Sequence, residues 1–128
     1  MPRTERQVTG DAAEAIVADR LTTAGWTVLG RNVRVGRCEI DLVCVDPGPP
    51  PTLVVVEVRF RQGRDFGLAE ETVDRRKRHR LWAAACTLAD KGRLADGTSL
   101  PRLPLRLDLV AVEPGVDVAN IRHHRAVR

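Results

Sequence analysis

An α/β sandwich with element order αβββαβ around a mixed central sheet is the fold this chain predicts, and three observations predict it. Hydrophobic patterning changes period along the chain from helix to strand, holds for three strands, and then returns to helix and strand. Two short Val- and Ile-rich runs, Cys38 to Val43 and Val54 to Arg59, flank the turn Asp46-Pro47-Gly48-Pro49-Pro50-Pro51, whose Pro and Gly end strands and make the pair a hairpin. A helical segment then separates the third strand from the next, as a crossover between parallel neighbours requires.

Each element has its own signal. The first helix runs from about Asp11 to Ala24, through an Ala-rich stretch in which Asp11 and Glu14 have the spacing of a capping box. A strand from Trp26 to Val35 leads into the hairpin, and an irregular basic loop from Gln62 to Thr72 leaves it. Helix two starts at Asp74, a good N-cap, and ends near Lys91 before Gly92. Gly92 to Pro104 is a loop with Gly97 and two prolines; Leu105 to Glu113 alternates as a strand, and Ile121 to Ala126 adds a short edge. All 128 residues make one domain, with a core over about 10–113 and a basic tail over 114–128.

The hairpin carries the chemistry. A strand of Val and Ile gains nothing from an acid in its middle, and burying an unpaired carboxylate costs several kcal/mol, so Asp41 and Glu57 require a partner or a metal. A hairpin symmetric about Pro49 sets Asp41 opposite Glu57 and Glu39 opposite Arg59. Opposed Cβ atoms lie about 5 Å apart, close enough for two carboxylates to share a cation. Val54, Val56, Val58 and Phe60 face one way as core; Leu53, Val55, Glu57, Arg59 and Arg61 face the other and turn from apolar to charged. Glu39 and Asp41 share a face with Val43 and Val45, so both strands carry charge at the same end. Mg²⁺ takes one or two carboxylates plus water and phosphate, which fits Asp41 and Glu57. The alternative is a structural cluster in which the acids pair with Arg59 and Arg61. Glu39 is satisfied by Arg59 with no metal at all, and Glu14 has its capping-box role as alternative.

Arg75-Arg76-Lys77-Arg78-His79-Arg80 opens helix two, where positive charge opposes the helix dipole. Lys77 shares the inward face with Leu81, Ala84, Ala85 and Leu88 and so reaches toward a cleft, whereas the other cations face outward. Further basic residues cluster at Arg31, Arg34 and Arg37, at Arg59, Arg61 and Arg64, and at Arg122 to Arg128. With 43% apolar residues, a net charge of +4 and a pI of 9.6, this reads as a globular domain with a phosphate-binding footprint of Arg31, Arg34, Arg61, Arg64, Arg75, Arg76 and Arg78. There is no Tyr and only two Trp and two Phe, so extended base stacking is excluded, and duplex or branched DNA gripped by its backbone is expected. Three cysteines without C-x-x-C spacing indicate neither disulfides nor zinc. No apolar run approaches a membrane span and no signal region opens the chain, so a cytoplasmic protein is expected.

Several motifs in order carry a resemblance: Ala13-Glu14 with Leu21 and Ala24-Gly25, Arg31-Asn32, Glu39-Ile40-Asp41-Leu42, Val56-Glu57-Val58-Arg59, Phe66-Gly67, and Val73 with Lys77. They cover Ala13 to Leu88, with a weaker echo over Arg106 to Val112. An acid, a hairpin and Glu-x-Lys or a variant is the pattern of the PD-(D/E)XK nucleases. More closely the chain resembles the YraN family, small bacterial proteins similar to Holliday-junction resolvases. The resemblance implies a restriction-endonuclease-like core and an endonuclease dependent on Mg²⁺ or Mn²⁺ and acting on structured or branched DNA. Its site would comprise Glu14, Asp41, Glu57 and Arg59, with metal held by Asp41, Glu57 and Glu14, and with Arg59 and Lys77 holding phosphate. Arg59 stands where the nuclease pattern usually has Lys, and it can stabilise charge but not act as a base. The alternatives are a nucleic-acid-binding protein of this fold without cleavage and a protein-interaction subunit of a DNA-processing machine. A resolvase cuts with two symmetry-related sites, so a homodimer fits.

Overall fold

The computed structural model describes residues 5–61, 68–114 and 120–127. Arg64 and Phe66-Gly67 fall outside them. The elements are α1 (Glu5–Thr23), β1 (Thr27–Val35), β2 (Cys38–Asp46), β3 (Thr52–Phe60), a short 3₁₀ turn (Ala69–Thr72), α2 (Arg75–Lys91), β4 (Leu105–Glu113) and β5 (Asn120–His124). The strands form one mixed sheet in chain order, antiparallel except for β3 and β4, which run parallel and are joined through α2. This is the αβββαβ order with a fifth strand at its edge.

A helix covers each face. Ala13, Val17, Ala18 and Leu21 of α1 pack on Leu42, Cys44, Val54, Val56 and Val110, while Leu81, Ala84, Ala85 and Leu88 of α2 pack on Val43, Leu53, Val55 and Leu107. The central strand β3 is therefore buried at seven successive positions, Thr52 to Val58, as a strand covered on both faces must be. Asp74 caps α2 by accepting from the Lys77 backbone N–H at 2.9 Å, and Gly92 ends it in the left-handed conformation, φ 72°.

The β2–β3 register pairs Leu42 with Val56 and Val45 with Leu53, which centres the hairpin on Pro49 as the sequence predicts. Other expectations need correction. Helix α1 begins at Glu5 rather than near Asp11, so Asp11 and Glu14 lie inside it and form no capping box. Its buried stripe anchors enough of the helix to carry Gly10 in an interior, where glycine costs only about 1 kcal/mol. The alternation of β2 slips at Asp41: Ile40 joins Val43 in the core under α2, while Leu42 joins the core under α1. The slip faces Asn32, which lies between the pairs Arg31–Leu42 and Val33–Ile40 and has φ 50°, so Glu39 and Asp41 do not simply continue the face of Val43. Within the basic tail, residues 120–127 are ordered on the core, with the short edge expected over Ile121 to Ala126 present as Asn120–His124. β5 pairs with β4, Val127 N–H donates to Leu107 O at 2.9 Å, and Arg122 pairs with Glu113 at 3.1 Å.

One charged group, Asp108, is fully buried on the α1 face of β4, beside Val56 and so one position from Glu57 along the sheet but on the opposite face. Asp108 accepts from Arg106 Nε at 2.8 Å and Nη2 at 3.0 Å and from Ala126 N–H at 3.1 Å, and His123 Nε2 lies 2.8 Å away. Burial alone would raise its pKa, but the His123 and Arg106 hydrogen bonds hold it below the usual carboxylate range. Arg106 also reaches Asp46 at 2.9 Å, and its guanidinium and that of Arg125 lie over Trp26 at 5.7 and 5.8 Å. The cluster ties β2, β4 and the chain after β5 together. Asp108→Ala strands Arg106 without its principal acceptor, and chemical denaturation of the variant is expected to show a loss of about 3–5 kcal/mol.

Candidate active site

Backbone pairing between β2 and β3 stops at Leu42 and Val56, and the next two positions, Asp41 and Glu57, stand opposite each other where the strands part. The Asp41 carboxylate takes over the ladder's role there, accepting the Val58 backbone N–H at Oδ2, 2.7 Å away. That bond fixes one carboxylate against the second. Glu57 is only 5% exposed, on the α2 side of β3. Arg59 Nη2 lies 3.1 Å and Lys77 Nζ 3.5 Å from its Oε1. The first charged residue on the inward stripe of α2 thus reaches the sheet.

The third acid arrives from the other face. Glu14 of α1 makes a side-chain hydrogen bond with Asp41, and the Asn32 amide, oriented with its NH₂ toward Glu14, donates to Oε1 at 2.9 Å and Oε2 at 3.2 Å. Burial first, then the bond to Asp41 and the negative charges of Asp41, Glu39 and Glu57, push the Glu14 carboxyl up to about 7. Burial and then Asp41 push Glu57 to about 7 against the opposing pull of Arg59 and Lys77. A carboxylic acid that titrates near neutrality is what a proton-transfer site needs, and two such groups flank Asp41.

Asp41 divides two recesses. On the α2 side is an open cleft of about 860 Å³ bordered by Glu57, Arg59, Lys77, Arg37 and Arg80. On the α1 side is a smaller hollow of about 340 Å³ bordered by Asp11, Glu14, Asn32, Glu39 and Phe60. Cations thus line mainly one recess and acids the other. Among the described residues no three carboxylate, His or Cys side chains converge on one point as a complete metal shell. The donor set that fits a cation is a pair, Asp41 with Glu57 or with Glu14, which suits Mg²⁺ or Mn²⁺ completing its coordination with water and phosphate. Arg59 offers a complementary feature: its Nε–H is buried with no acceptor among the described residues, next to the acids.

The remaining predicted site residues are less concentrated. Glu39 pairs with Arg34 at 3.5 Å, both well exposed, so the expected Glu39–Arg59 pair is not formed; Arg59 turns to Glu57, the more deeply buried and less well solvated acid. Of the partners expected in a structural cluster Arg59 does pair with Glu57, and Lys77 joins it. Arg31, Arg75 and Arg76 are exposed, and Arg61 is half-buried. Arg78 does not face outward: it is half-buried, donating from Nη1 to Val127 O at 3.3 Å, because the chain after β5 crosses that side of α2. Asn32 carried no assigned role from sequence, although Asn is the residue that tolerates a left-handed backbone, which its φ of 50° shows.

Residues 13–112 match the uncharacterised protein family UPF0102. The chain belongs to this family. UPF0102 relatives include a protein of Symbiobacterium thermophilum, 41% identical over 108 residues and covering 84% of each chain, and one of Methylococcus capsulatus, 41% identical over 110 residues and covering 86% of this chain and 81% of the relative. The resemblance to YraN proteins drawn from Glu14, Asp41, Glu57 and their flanking motifs is thereby established as family membership. Among solved structures, Pyrococcus furiosus SfsA in complex with Ca²⁺ aligns at a TM-score of 0.40 and 12% identity, over 94% of this chain and 63% of that one. Among the described residues no helix is long and apolar enough to cross a membrane.

A pH signature follows from the two raised carboxyls. Their folded pKa values exceed the unfolded ones, so protonation favours the fold: the contribution is complete below about 4.5 and is lost as pH rises through about 7. Thermal unfolding in EDTA is expected to give a lower Tm at pH 8 than at pH 5.5. Glu57→Gln, which cannot ionise, is expected to flatten that difference.

Proposed function

We propose that this protein is a divalent-cation-dependent phosphodiesterase that cuts structured or branched DNA. One observation carries the reading: Asp41 and Glu57 are opposed at the fork of β2 and β3, with Lys77 and Arg59 within 3.5 Å of Glu57. Two carboxylates and two cations at one point complement the two charged partners of phosphodiester hydrolysis, a metal ion and a phosphate.

Asp41 and Glu57 would hold Mg²⁺ or Mn²⁺, with Glu14 supporting from the α1 side. A bound divalent ion supplies positive charge to the phosphate and lowers the pKa of a coordinated water. Asp41 is kept in place by the Val58 N–H and so presents its free oxygen in a constant direction. Glu14, with a pKa of about 7, is part-ionised at neutral pH and can take a proton at a carboxylate oxygen as water attacks. The Arg59 Nε–H, buried without an acceptor among the described residues, and the Lys77 ammonium can donate to non-bridging phosphate oxygens, where charge grows in the transition state. Arg31, Arg34, Arg61, Arg64, Arg75 and Arg76 would add contacts to the backbone of duplex flanks. A homodimer would supply the paired cuts that a four-way junction requires.

A second reading, a DNA-binding protein without cleavage, is favoured by one feature. Glu57 is already bridged by Arg59 and Lys77, and a guanidinium at position 59 is a more persistent partner than an ammonium. The two readings separate in one assay of labelled duplex, single-stranded, flap and four-way-junction DNA with Mg²⁺ or Mn²⁺. Wild type is expected to cut, and Asp41→Ala and Glu57→Ala to lose about 100-fold or more of that rate. Binding without cutting, unchanged in both variants, would establish the second reading instead. Arg59→Lys gives a further check: it is expected to retain cleavage, whereas Arg59→Ala is expected to lose about 10²-fold or more.

A further inference from the structure

The α2-side cleft continues past the acids. Beyond Glu57 and Lys77 it runs between α2 and the β1–β2 hairpin, whose two-residue turn is Gly36-Arg37 with Gly36 at φ 60°. Arg37 borders it from the hairpin and Arg80 from α2; Cys38, Ala83, Ala84 and Thr87 line the space between them. Both arginines are exposed, and neither has an ion-pair partner among the described residues. Arg80 sits one turn after Lys77 and Arg76 on α2.

We infer that this groove is a binding site for a short unpaired polynucleotide strand, continuous with the acidic pair. The inference rests on the proposed function for the identity of the nucleic acid. Three observations select a single strand. The cleft, at about 860 Å³, is of the size that encloses a small molecule, so it takes a nucleotide or two of one strand and leaves a duplex outside. Its four cations, Arg37, Arg59, Lys77 and Arg80, all border this one cleft, where a single phosphate backbone can meet them. Its walls are small, so bases have room, and with no aromatic among the described lining residues the planar guanidiniums of Arg37 and Arg80 are the described surfaces that can stack on them. Arg59 Nε–H, buried without an acceptor among the described residues, marks where the channel meets the acids and where a phosphate oxygen would fit. The substrate class is thus DNA with unpaired nucleotides next to the scissile bond, such as a flap or an opened branch, rather than continuous duplex.

The test is binding in EDTA, where no cleavage can occur, by fluorescence anisotropy on a blunt hairpin duplex and on the same duplex with a four-nucleotide single-stranded extension. Wild type is expected to bind the tailed DNA about tenfold more tightly, the lower range of what one stacked base contributes. Arg37→Ala/Arg80→Ala is expected to reduce the slope of log K against log salt for tailed DNA by about 1.4, two contacts at 0.7 each. Ala83→Trp fills the channel from an exposed helix position without changing charge, and is expected to remove the tail preference with an unaltered Tm. Equal affinity of wild type for tailed and blunt DNA would overturn the inference, as would a tail preference that survives Ala83→Trp. Tail-dependent binding by a protein that never cuts would sink the proposed catalysis and uphold the groove.

Discussion

The bond from the Val58 backbone N–H to the Asp41 carboxylate organises this molecule. A β-ladder that simply continued would satisfy both strands and leave no opening. Here a side chain accepts the amide of the neighbouring strand at 2.7 Å, so β2 and β3 can part without orphaning a buried N–H. The same bond holds an acid beside Glu57, and α1 brings Glu14 to hydrogen-bond it from the other face. Like charges in a partly dry setting cannot all ionise cheaply, and both Glu14 and Glu57 rise to about 7 as a result. The fork in the sheet and the unusual acidity of the site are two consequences of one arrangement.

Such crowding has to be offset elsewhere. The seven buried positions of β3 and the two helical layers supply apolar burial, and the Asp108 cluster on the α1 face shows how the fold treats a buried acid meant to stay charged. Asp108 receives donors from Arg106, Ala126 and His123, and its pKa falls. Glu57 receives two cations yet still rises, because burial penalises its charge and Asp41 repels it. One sheet therefore carries, at neighbouring register positions but on opposite faces, a carboxylate whose partners lower its pKa and one whose pKa is raised.

Much of this could be read in the chain. The Pro-rich turn centred the hairpin on Pro49, and the i, i+4, i+7 spacing placed Lys77 above the cleft because both features depend on local geometry alone. What could not be read depended on distant partners. Glu39 chose Arg34 because β1 lies beside it, a choice between neighbours that hairpin symmetry does not express. The capping-box spacing of Asp11 and Glu14 was overridden by a helix that starts at Glu5, six residues before Asp11. Arg78 turned inward toward the carbonyl of Val127, almost fifty positions away in the sequence. The slip at Asp41 needed Asn32 in a left-handed conformation on a different strand, and no strand period announces that.

The proposed catalysis requires that the crowded carboxylates Asp41, Glu57 and Glu14 bind a divalent cation. Calorimetric titration of Mn²⁺ at pH 6.5, in two buffers of different ionisation enthalpy, tests it most directly because a cation must displace protons from acids with pKa values near 7. The account predicts saturable binding with net proton release, abolished by Asp41→Ala. Binding without proton release, or binding that Asp41→Ala leaves unchanged, would contradict it.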